Sequence, residues 1–136
     1  MKAEETQKPK SEAVASTQAD MDDKVVQEAI ARLRAEKARV MDSRFSKGRE
    51  AGEEWAVKFA NFAELEALVS QKSALLADRP TISLGRLAEY VANEDERDDF
   101  VDDMAERYGC EVHHQSWVVG FTSGAVSKGQ ALLRHL

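Results

Sequence analysis

Five side chains close together, Glu106, Cys110, Glu111, His113 and His114, form the only cluster in this chain with metal-ligand chemistry. Cysteine and histidine suit zinc or another transition metal, and Glu111 with His114 has the Glu-x-x-His spacing that di-iron bundles place on each of two helices. The sequence holds no second Glu-x-x-His. A structural zinc site normally needs four ligands, and adjacent histidines such as His113 and His114 point in different directions from regular structure. Glu111, His113 and His114 therefore stand as the metal candidates, and the expectation is no metal and no cofactor. Cys110 is no better placed as a nucleophile. Activation requires an electropositive setting, whereas Glu106 and Glu111 place negative charge beside Cys110 in the sequence.

Glycine spacing is the next chemical signal. The word aromatic, two residues, Gly, three residues, Gly occurs twice, as Phe45, Gly48, Gly52 and as Trp117, Gly120, Gly124. Neither copy ends in the Lys-Ser/Thr of a phosphate loop. Each lies in a stretch that otherwise favours helix, where a glycine costs roughly 1 kcal/mol against alanine. Close backbone packing offsets that cost. Glycines four apart share one helix face, so the two segments are expected to cross at short distance, with Trp55 packed beside them. Charged residues Arg49, Glu50, Glu53 and Glu54 around the first copy exclude a membrane helix pair.

Charge is bipolar. Between residues 32 and 49, Arg32, Arg34, Lys37, Arg39, Arg44, Lys47 and Arg49 stand against Glu36 and Asp42 alone, whereas residues 94 to 106 are rich in Asp and Glu with the single cation Arg97. The basic stretch is a possible contact surface for phosphate or for an acidic protein face. A helix-turn-helix over residues 81–108 is rejected as a DNA reader. Its second helix would present Asp98, Asp99, Asp102 and Asp103, which phosphate repels and a basic partner surface attracts.

The elements that position these groups follow from periodicity. Residues 1–20 lack large apolar side chains apart from Met1 and Val14, and are expected to form a disordered tail. Asp20, Asp22 and Asp23 can open a helix that carries Val26, Ile30, Leu33 and Val40, then Met41, Phe45, Gly48, Gly52, Trp55, Phe59 and Phe62 at steps of four and three. Unbroken to Ala60, it would be about 58 Å long at 1.5 Å per residue. That exceeds the width of so small a domain, so the helix must bend near residues 42–52 or pair with another chain. Asn61 with Glu64 predicts a capping box and a helix to Asp78, which Arg79 and Pro80 stop. Thr81 or Ser83 caps a short helix carrying Leu84, Leu87 and Val91. Asn93 with Glu96 repeats the box before Phe100, Met104 and Tyr108, and Gly109 ends that helix. Residues 116–136 are apolar on more than one face and read as a central helix, with a strand over 111–122 as the alternative.

Together these give an all-α fold: a compact bundle of four or five helices over residues 21–136, with one long N-terminal helix. The chain has 136 residues, a net charge of −6 and one cysteine. An acidic balance argues against a general nucleic-acid coat, and a lone cysteine suits a reducing compartment. No apolar secretory segment opens the chain and no run approaches a membrane span, so the expected location is cytoplasmic. With no convergent catalytic groups, the expected function is non-enzymatic. It is expected to act through protein contacts, self-associating as a homodimer through residues 25–62. The alternatives are an accessory nucleic-acid binder using the basic stretch and a helical metal-dependent protein.

Overall fold

No proline falls between Asp22 and Lys58, and the first helix is unbroken over those residues. The structure, a computed structural model, describes residues 12–136, with side chains described from Asp22 onward. The tail expected over residues 1–20 lies outside the residues whose side chains are described. Six α-helices follow one another: α1 (Glu12–Lys58), α2 (Phe62–Ser70), α3 (Lys72–Asp78), α4 (Leu84–Val91), α5 (Arg97–Tyr108) and α6 (Gln115–Leu133). Short 3₁₀ turns occupy Arg79–Thr81, Glu94–Glu96 and Gly109–His113, and no strand occurs among the described residues. The fold is all-α.

Contacts divide the chain into two units, one ending at Arg39 and the other spanning Val40–Leu136. In the first unit the described residues belong to α1 alone, and its apolar side chains Val25, Val26 and Leu33 are exposed. The second unit holds the core.

Local sequence explains most element ends in that second unit. α1 stops where the Phe59 and Ala60 N–H groups both donate to the Trp55 carbonyl, at 2.9 and 2.8 Å. Asn61 then opens α2 with a complete capping box. Its side chain accepts from the Glu64 N–H at 2.8 Å, and its own N–H donates to Glu64 Oε1 at 2.9 Å. Phe59 and Phe62, read from the sequence as part of the α1 seam, consequently lie at and beyond the helix end and are exposed. The Ser83 hydroxyl caps α4 by accepting from the Arg86 N–H at 3.2 Å. Gly109 ends α5 at φ +81°, a left-handed conformation that favours glycine.

Two features depart from the periodicity. The run expected as one helix from Phe62 to Asp78 is two, because Gln71 leaves helical geometry at φ −103°, ψ 19°. Its side-chain amide donates to the Ala67 carbonyl at 3.1 Å and to the Tyr90 carbonyl at 2.9 Å, tying the break to α4. That break is why the helices among the described residues number six rather than four or five. The second expected capping box, Asn93 with Glu96, does not form. Asn93 makes no side-chain cap; its amide donates to Glu96 Oε1 at 3.3 Å while the backbone enters a 3₁₀ turn closed by the Glu96 N–H. Residues 111–122, for which a strand was the alternative, are a 3₁₀ turn leading into α6.

α6 is the axis of the second unit. Trp117, Val118, Phe121, Thr122, Ala125 and Val126 are all buried, and the Thr122 hydroxyl is satisfied by donating to the Val118 carbonyl at 2.9 Å. An aromatic cluster gathers on it. Trp117 stacks on Phe121 with centroids 5.2 Å apart, Trp55 reaches Phe121 at 5.6 Å and meets Phe100 edge-on at 6.0 Å, and Tyr108 approaches Trp117 at 5.6 Å.

Candidate functional site

The four glycines of the two repeated words meet one another's helices. A Cβ on Gly48 would fall onto the Trp117 carbonyl oxygen, with the Trp117 carbonyl carbon at 2.8 Å. One on Gly52 would strike the Phe121 carbonyl oxygen and come within 2.9 Å of the Ala125 nitrogen. Gly120 and Gly124 stand in the same relation to the carbonyls of Phe45 and Arg49. Partners advance together, from Trp117 to Phe121 as from Gly48 to Gly52, so α1 and α6 cross while running in the same direction. Phe45 is half-buried at this crossing, while Trp55 and Trp117 are buried in the aromatic cluster beside it. This is a structural joint that fixes where the C-terminal part of α1 stands in the second unit.

α5 is fastened to the joint through Tyr108. Its hydroxyl lies 3.3 Å from both the Ala51 carbonyl and Glu54 Oε1, and burial together with the Glu54 charge pushes the phenol up to about 12. A second polar cluster holds α3 to α4. Tyr90 donates to Asp78 Oδ2 at 2.6 Å, Arg86 donates to the same oxygen at 3.0 Å and to Glu89 at 2.6 Å, and the Arg86 guanidinium lies 4.9 Å from the Tyr90 ring. The Tyr90 hydrogen bond, with that of Arg86, holds the Asp78 carboxyl below its usual range. Every group in this cluster has partners, which marks it as structural.

The metal candidates are engaged otherwise. Glu111 lies 4.0 Å from Arg44 Nε and 4.0 Å from His114 Nε2, joining the 3₁₀ turn to α1, and His113 is exposed. No group of three His, Cys, Asp or Glu residues among the described residues is placed to hold a metal ion. Cys110 is exposed.

Along α1 the basic residues separate into two kinds. Arg44 pairs with Glu111, and Arg49 with Glu53 at 3.6 Å. Arg32, Arg34, Lys37, Arg39 and Lys47 are exposed, and none makes an ion pair to another described residue. Apolar side chains are interleaved with them. Val26, Leu33 and Val40 stand seven residues apart on one helix face, and Leu33 keeps 53% of its surface in solvent. Such a face carries both an apolar and a cationic component.

Opposite in character is a cavity of about 420 Å³ within the second unit, bounded by the end of α1, α2, the end of α4 and α5. Its floor includes the buried Trp55, Val91, Phe100 and Met104. Its rim carries the carboxylates Glu64, Glu96, Asp99 and Asp103 against one cation, Arg107, whose guanidinium lies 3.7 Å from the centre of the Phe59 ring. Asp99 and Asp103 make no ion pair to any described residue. The acidic run of α5 is visible in the sequence, but the cavity is not. It is assembled from four separated segments, and only the one-turn recurrence of Asp99, Asp103 and Arg107 beside the apolar Phe100 and Met104 is a local sign of it.

No helix among the described residues is long and apolar enough to cross a membrane. No protein-family model matches this chain, and neither a curated protein nor a solved structure shows significant similarity to it.

Proposed function

We propose that this chain is a non-enzymatic, cytoplasmic contact protein that self-associates through the α1 segment from Val25 to Phe62, as a homodimer. The supporting observation is the exposed row of Val26, Leu33 and Val40, interleaved with Arg32, Arg34, Lys37 and Arg39, which have no ion-pair partner among the described residues. Exposed aliphatic side chains at heptad spacing lose contact with water when a second helix covers them, and the flanking charges set which partner fits. Light scattering coupled to size exclusion tests the reading. A dimer at tens of micromolar and low salt is expected, and a monomer under those conditions contradicts it.

A second reading is favoured by the unpaired cations Arg32, Arg34, Lys37, Arg39 and Lys47: accessory binding of nucleic acid through the basic stretch from Arg32 to Arg49. Phosphate neutralisation by such a row weakens steeply as salt rises. Under this reading a nucleic-acid mobility shift appears at low salt and is lost on combining Arg34→Glu with Arg39→Glu. No shift at low salt removes it.

A further inference from the structure

We infer that the acid-rimmed cavity of the second unit receives the Arg32 to Val40 stretch of α1 from a second copy of this chain. The inference rests on the self-association reading and names the surface that the exposed helix meets. Three observations carry it. The cavity, at about 420 Å³, falls in the range of roughly 300–1,000 Å³ typical of pockets that accept ligands. Its lining includes the exposed Phe59 beside the buried Trp55, Phe100 and Met104, so an apolar wall stands inside the polar mouth, which suits a helix that presents Leu33 and Val40 as anchors seven residues apart. Its rim carboxylates Asp99 and Asp103 have no ion-pair partner among the described residues, and neither have Arg32, Arg34, Lys37 and Arg39 on the helix. Two surfaces of one chain thus carry opposite charges that have no ion-pair partner among the described residues, and each has an exposed apolar component. Opposite rims around an apolar centre steer encounter and fix register, while buried aliphatic anchors hold the complex. Used twice across a two-fold axis, the same contact closes a dimer.

Complementation between charge-reversed variants tests this in the full-length chain. Arg34→Glu with Arg39→Glu spoils the helix face and leaves the cavity intact; Asp99→Lys with Asp103→Lys does the reverse. Each variant alone is expected to be monomeric at concentrations where the wild type associates, with an apparent Kd raised on the order of 100-fold. Mixed in equal amounts, the two restore a 1:1 complex, because one supplies the basic helix and the other the acidic cavity. Asp99→Asn with Asp103→Asn, gentler on the first turns of α5, gives a smaller weakening and guards against a misfolded lysine variant. An Asp99→Lys, Asp103→Lys chain that associates as tightly as wild type overturns the cavity contact and leaves α1-mediated association standing. Failure of the mixture to restore the complex, with both variants retaining helical circular dichroism, also overturns it. A monomeric wild type removes the self-association reading and this inference together.

Discussion

At Gly52 the missing side chain leaves room for the Phe121 carbonyl and the Ala125 nitrogen, both parts of a helix backbone that cannot rotate away. Alanine there gains helix propensity of roughly 1 kcal/mol, while overpacking against a fixed backbone typically costs about 1–3 kcal/mol, occasionally more. Because the steric term acts on backbone atoms, it wins. Gly52→Ala is expected to lower the urea midpoint. Gly85, near the start of α4, has open space where its Cβ would be, so Gly85→Ala should stabilise by about 0.4–1 kcal/mol. Equal effects from the two substitutions would contradict the joint. Tyr108 makes a second residue-level prediction. Its folded pKa is raised from 10.0 to about 12, so the stability it contributes is fully present below pH 10 and is lost as pH rises toward 12. Alkaline melting curves should therefore fall less steeply between pH 10 and 12 for Tyr108→Phe than for wild type; identical slopes would show that the phenol is not held neutral by burial.

Among the elements, the short helices of the second unit owe their ends to identifiable side chains. Asn61→Ala removes a side-chain acceptor and half of a reciprocal box, and a loss of about 0.5–2 kcal/mol is expected in chemical denaturation. Asn93→Ala should cost less, since Asn93 caps no backbone N–H with its side chain. The contrast explains what could be read from the sequence. Asn-x-x-Glu occurs at both places, but only the first precedes an uninterrupted helical run; the second leads into a 3₁₀ turn before α5. Similarly, nothing local announces the break at Gln71, because its amide is satisfied by the Tyr90 carbonyl nineteen residues away. Of the crossing, the sequence displays two glycine spacings. Which carbonyl each glycine meets, and the shared direction of α1 and α6, come from tertiary structure. The cavity was the least legible feature, since its floor and rim come from α1, α2, α4 and α5 together.

For the whole molecule, the central claim is that residues exposed on α1 are a contact surface. Charge layout and apolar layout agree on this helix, and the same chain offers an acidic cavity of matching character. Association that depends on exposed opposite charges weakens when salt screens them. The direct measurement is light scattering coupled to size exclusion on the full chain at tens of micromolar, at low and high salt, with and without mixed nucleic acid. The account predicts a mass near twice the 15.1 kDa of one chain, unchanged by nucleic acid and falling toward the single-chain value as salt rises. A single-chain mass at every salt concentration would contradict it, and a mass that increases only with nucleic acid at low salt would transfer the basic face of α1 to the second reading.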